Sequence, residues 1–130
     1  MNRSKKKGCL VVVLMFLLLI VFLYGGIRYK TCYAKNKVLS EVSHDGQYEL
    51  LIYMIGEPDW PFGSAHCRFD LIKSGKRVIK YPFDVCSDGA FVHADNFHIV
   101  WNTDNVTVTV SGEEQDDKVY ILYFDGSVPE

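Results

Sequence analysis

Residues Gly8 to Ile27 read GCLVVVLMFLLLIVFLYGGI, twenty positions without a charge. A helix rises 1.5 Å per residue, so this stretch covers about 30 Å, the thickness of the hydrocarbon core of a bilayer. A buried core helix of such uniform apolarity is disfavoured, and the segment is read as a membrane span over residues 9–27. The rival reading is a cleaved signal peptide, since Arg3, Lys5, Lys6 and Lys7 precede the run as an n-region would. Against cleavage, the run is long and no small-x-small site follows it closely. A lipoprotein signal is also disfavoured, because Cys32 is preceded by Tyr29, Lys30 and Thr31 and lies beyond the apolar segment.

The anchor divides the chain. Residues 1–8 form a basic tail and residues 28–37 a polar juxtamembrane linker, with Tyr29 and Tyr33 suited to the headgroup layer. That leaves residues 38–130 for one modest domain. Charge follows the same division: residues 1–37 hold eight Lys or Arg and no acid, whereas 38–130 hold six basic and sixteen acidic side chains. A domain near −10 repels phosphate backbones, so no nucleic-acid partner is expected. Sidedness is less constrained, because Arg3, Lys5, Lys6 and Lys7 are matched by Arg28, Lys30, Lys35 and Lys37. The compact Lys5–Lys7 cluster, joined by the terminal amine, favours a cytoplasmic N-terminus and an extracytoplasmic domain.

Beyond the linker, β-branched and aromatic runs recur between turn residues, and no long helical periodicity is present. An all-β domain follows, an antiparallel sandwich or small barrel of about seven strands. Asp45-Gly46 separates Val38–Ser43 from Gln47–Ile55, whose Tyr48, Leu50, Ile52 and Met54 share one face. The alternate Leu51, Tyr53 and Ile55 are also apolar, which predicts a central strand covered on both faces. Ala65–Ile72 and Arg77–Asp84 form a hairpin around a four-residue loop; pairing Ile72 with Arg77 sets Leu71 beside Val78 and Cys67 opposite Pro82. In that register Cys86 lies about 13 Å along the strand from Cys67, too far for a disulfide, which leaves Cys32 as the possible partner for either. Phe97–Asn102, Val106–Ser111 and Val119–Phe124 complete the strands.

Two stretches, SHDGQYELLIYMIGEPDWPFGSAHC from Ser43 and SGEEQDDKVYILYFDG from Ser111, resemble a family of small uncharacterised bacterial single-span membrane proteins with a short extracytoplasmic β domain. The EPDWPFG run is the most specific part of the likeness. The resemblance implies placement and fold, and it brings no activity or ligand.

The leading candidate site is the loop Gly56–Ser64, where Pro58 and Pro61 restrict the backbone beneath Trp60 and Phe62. A large aromatic is commonly folded back over a core, as a lid. Presented outward on a stiff loop, Trp60 and Phe62 supply contact area at low entropic cost, with Glu57 and Asp59 at the rim. The second constellation is His66, His93, Asp95 and His98, all metal-ligand types but at spacings that match no known motif. The run Glu113, Glu114, Asp116 and Asp117 lacks the ligand pattern of a calcium loop and is read as a charged hairpin tip.

The sequence contains no nucleophile elbow, zinc-protease helix, phosphate loop or dinucleotide fingerprint. Neither an enzyme nor a cofactor is expected. The reading adopted is a membrane-anchored interaction domain for a protein or envelope component, held in the bilayer through residues 9–27. Two alternatives stand beside it: an accessory or immunity-type subunit working through its helix, and a metal-binding domain.

Overall fold

The chain is described over residues 3–113 and 115–128 in a computed structural model. Helix α1 spans Arg3–Cys32. It is long and apolar enough to cross a membrane, and none of its residues is buried by the rest of the chain. It overruns the expected 9–27 at both ends, because Arg3 to Lys7 and Arg28 to Cys32 contain no proline, and glycines alone do not stop it. Residues expected to form a linker over 28–37 are instead its last turn and the beginning of a strand, joined by Tyr33 and Ala34. The amides of both joining residues donate to the Tyr29 carbonyl at 2.9 and 2.8 Å.

Strands β1 (Lys35–Val42), β2 (Tyr48–Ile55), β3 (Ala65–Lys73) and β4 (Lys76–Val85) form one antiparallel meander. Strands β5 (Phe97–Trp101), β6 (Asn105–Gly112) and β7 (Gln115–Tyr123) form a second. The result is a two-sheet sandwich of four and three strands, not a closed barrel. Alternation places Tyr48, Leu50, Ile52 and Met54 of β2, Cys67, Phe69 and Leu71 of β3, and Val106, Val108 and Val110 of β6 in one core. Rings interleave across it: Phe69 stacks on Phe83 at 4.0 Å between centroids, and Tyr48 stacks on Phe124 at 3.9 Å. At one end Trp101 Nε1 donates to Glu41 Oε1 at 2.9 Å and ties the two sheets together.

The hairpin of β3 and β4 departs from the expected register. Lys73 pairs with Lys76, so the loop is the two-residue Ser74-Gly75, both with left-handed φ (50° and 80°), as a twisted hairpin prefers. Ile72 does face Arg77, but a bulge follows, and Leu71 pairs with Ile79 and Cys67 with Phe83. Without that extra residue Lys80 and Asp84 would point into the core; with it Ile79, Phe83 and Val85 do. The four cysteines are free thiols, and Cys67 is buried.

The outer face of β2 is not covered by another layer. Leu51, Tyr53 and Ile55 are half-buried, sheltered by neighbours on their own sheet. Chief among these is Arg68 of β3, whose guanidinium lies over the Tyr53 ring at 5.3 Å and donates to Asp70 Oδ2 at 2.8 Å. This ion pair is buried on the solvent side of the sheet, with Arg68 Nε and Asp70 Oδ1 lacking partners. The acidic segment also differs from expectation: Asp116 and Asp117 belong to β7, Glu113 lies in the turn, and Glu114 is outside the described residues.

Candidate functional site

Strand directions gather four segments at one pole of the sandwich. β1 leaves the helix at Lys35, and Lys35 pairs with Ile55, so the loop after β2 begins beside the helix end. Ala65 pairs with Val85, which brings the 86–93 connection next to that loop. Cys86 N donates to Gln115 Oε1 at 2.8 Å and draws in the β6–β7 turn. The turns Ser43–Gln47, Ser74-Gly75 and Asn102–Asp104 lie at the opposite pole.

The junction with the helix is made by backbone. Gly56 N donates to Ala34 O at 2.7 Å, and Glu57 N donates to Thr31 O at 2.8 Å. Carbonyls at a helix C-terminus lack partners within the helix, and here the loop after β2 supplies two donors to that region. Gly56 has φ of 72°, and a Cβ on it would overlap the Thr31 carbonyl, so only glycine fits.

From there the loop Gly56–Ser64 closes on itself. Asp59 N donates to Ser64 O at 3.0 Å and Gly63 N donates to Asp59 O at 2.8 Å. Gly89 N reaches Gly63 O at 2.9 Å, and the Ser64 hydroxyl lies 3.8 Å from Cys86 Sγ, so the two loops form one unit. Trp60 stands 92% exposed and Phe62 72% exposed at the tip. The lid reading of Trp60 is therefore overturned: the turn held by Asp59, Gly63 and Ser64 aims the ring away from the sheet. Phe91 of the neighbouring loop is 51% exposed, while Val92 beside it enters the core.

His66, at the edge of this unit, joins residues that the sequence left separate. It is cross-strand partner to Asp84, and its Nδ1 lies 2.7 Å from Asp84 Oδ1. Its Nε2 lies 3.0 Å from Asp59 Oδ2 on the loop. With an ionised carboxylate on each side, both ring nitrogens donate and the imidazolium is favoured. The hydrogen bond to Asp84 raises the His66 pKa above its ordinary 6.5, desolvation opposes the rise, and Asp59 adds to it. A histidine held at both nitrogens has no lone pair free to activate a nucleophile. The arrangement is a clamp: a charged bolt fastening the base of the Trp60 loop to β3 and β4.

The remaining predicted residues distribute differently. Glu57 is half-buried and, with Lys30, Asn36, Phe91 and His93, lines a crevice of about 400 Å³ between the helix end and the domain. Asp95 sits in a short 3-10 turn, Ala94–Asn96, and His98 lies on the exposed face of β5, opposite the buried Phe97. Among the described residues no group of three or more His, Cys, Asp or Glu side chains is arranged to hold a metal ion, and His66, His93, Asp95 and His98 do not form one ligand set. Sequence reasoning missed Asp84 and Phe91. The alternation of Ile79, Tyr81, Phe83 and Val85 marks Asp84 as outward-facing beside β3, whereas no local pattern separates Phe91 from Val92.

A larger concavity, about 540 Å³, lies at the opposite pole and is lined by Ser43, Asp45, Trp101, Asn102 and Phe124. Its indole N–H is already taken by Glu41 and its flanking side chains bond one another, so we place the candidate site at the aromatic pole.

Comparison with known proteins found no matching family model, no matching curated protein and no matching solved structure.

Proposed function

We propose that this chain is a membrane-anchored interaction domain: α1 spans the bilayer, the N-terminus is cytoplasmic, and the sandwich makes its contacts through the extracytoplasmic pole next to the helix. The observation that carries the reading is the clamped loop that holds Trp60 and Phe62 outward, with Phe91 beside them, where the chain leaves α1. Small domains seldom leave several large aromatics exposed together unless something covers them. Trp and Phe on a fixed backbone lose little freedom when covered, and Glu57 and Asp59 supply a polar rim. The basic cluster Lys5–Lys7 supports the orientation. The resemblance to single-span membrane proteins with a short extracytoplasmic β domain supports the same placement. The domain binds and does not catalyse, a reading supported by the engagement of both His66 nitrogens with carboxylates.

The test is a photoreactive side chain substituted for Phe62 in the full-length protein, irradiated in intact membranes, with Val100 substituted as the exposed control on β5. Adducts at position 62 several-fold above those at 100, and lost when Trp60→Ala is added, are expected. Equal yields at the two positions would remove the reading.

A further inference from the structure

The helix sets the height of the aromatic pole. The uncharged run ends at Ile27 and α1 continues to Cys32, five residues or about 7 Å further. That distance matches the headgroup layer, since a bilayer of about 30 Å of hydrocarbon is about 40–45 Å thick with its polar regions. The loop bearing Trp60 is bonded to Thr31 O and Ala34 O at the end of this helix. Tyr29 and Tyr33, both exposed, flank the same level. With the helix across a bilayer, the start of this loop at Gly56 and Glu57 lies at the headgroup level, where tryptophan and tyrosine partition well.

We propose that the surface covered by Trp60, Phe62 and Phe91 is the interfacial layer of the bilayer that holds α1, so that the sandwich rests on its own membrane instead of standing clear of it. The proposal rests on the anchored-domain reading and names the partner of that surface. Three features favour lipid over a protein as occupant. Exposed aromatics stand on both sides of the joint, Tyr29 and Tyr33 at the end of α1 and Trp60, Phe62 and Phe91 on the loops bonded to it or beside it. Lys30 and Glu57 share the crevice at the seam, a pair of opposite charges that suits a zwitterionic headgroup. Finally, the helix supplies a very high effective concentration of membrane, so the modest affinity of three rings is enough to hold the domain down.

Charge narrows the lipid. Glu57, Asp59, Asp84, Glu113 and Asp116 all belong to this pole or the strands and turn that reach it, and Arg28, Lys30, Lys35 and Lys37 lie on the helix side. His66 is engaged with Asp59 and Asp84 and offers no free charge. Docking is accordingly driven by the rings, and it is not strengthened by anionic lipid.

The chain has two tryptophans, Trp60 at this pole and Trp101 near the other, and none in the helix, which makes the test direct. Full-length protein is reconstituted in phosphatidylcholine vesicles whose acyl chains carry bromine near the glycerol end, with each tryptophan read alone in Trp101→Phe and Trp60→Phe variants. At least twofold quenching of Trp60 and almost none of Trp101 is expected, unchanged when a third of the lipid is phosphatidylglycerol. Quenching of Trp60 no greater than that of Trp101 overturns the proposal. If the protein resists carbonate extraction while Trp60 is unquenched, docking alone fails and the anchored domain survives. A protein adduct from position 62 in intact membranes would then identify the other class of occupant. Release by carbonate overturns both readings.

Discussion

Held between Asp84 at 2.7 Å and Asp59 at 3.0 Å, His66 adds a proton-dependent tie to the backbone bonds that shape the Trp60 loop. The folded pKa is raised above 6.5, chiefly through Asp84, so the clamp stabilises fully below 6.5 and is lost as pH rises through the folded value. Deprotonation leaves one ring nitrogen facing a carboxylate with no hydrogen between them. Proton NMR of His66 in the full-length protein should report an apparent pKa above 6.5. Asp84→Asn should lower it more than Asp59→Asn, in keeping with the shorter contact. Amide exchange at Asp59 and Gly63 should quicken above the wild-type transition and lose that pH dependence in His66→Asn. A His66 that titrates at or below 6.5 would contradict the clamp.

The elements meet at Gly56, where β2 ends and the last turn of α1 receives two amides from the sheet. Gly56→Ala imposes a left-handed alanine and pushes its Cβ into the Thr31 carbonyl. A loss of about 2–4 kcal/mol is expected, strain of 1–3 plus the weakened amide contacts. Gly46→Ala carries the same sign of φ with open space around it, and should cost only about 1–2 kcal/mol. Thermal unfolding of the full-length protein in detergent micelles ranks the two, and equal losses would mean that the junction does not constrain the domain. Elements of this kind differ in how far a sequence discloses them. The apolar run, the alternating β2 and β6 and the turn at Asp45-Gly46 are local signals, and each corresponds to a structural element. The β4 register was also available, because Ile79, Tyr81, Phe83 and Val85 alternate; fixing the register from the turn outward concealed the bulge. The clamp was not available, since it depends on a loop carboxylate folding back onto a cross-strand pair eighteen residues apart in sequence. Trp60 was identified as a candidate, but its exposure was set by hydrogen bonds between loop ends that no composition predicts.

At the scale of the whole molecule, both sheets bury their inner faces in one core, so the sandwich should unfold as a unit. Cys67 is a built-in reporter of that event. Burial, with Asp84 contributing, pushes its thiol up to about 12, and a protonated thiol inside a core is inert. In the full-length protein, maleimide should modify the exposed Cys32 and the partly exposed Cys86, while Cys67 reacts only along the global transition in urea, with the midpoint given by Trp101 fluorescence. Labelling of Cys67 well before that midpoint would reveal two separately stable sheets. The joint between helix and sandwich extends the same unity beyond the core. Only Tyr33 and Ala34 separate α1 from β1, and backbone bonds stiffen the corner from both sides. With α1 across a bilayer as proposed, the helix would lean further as the bilayer thins, and a corner without slack would pass that lean to the sandwich like the arm of a lever. The Asp45 turn, an eight-residue strand or about 26 Å from the pivot, would then swing by roughly 4–5 Å for each ten degrees of tilt.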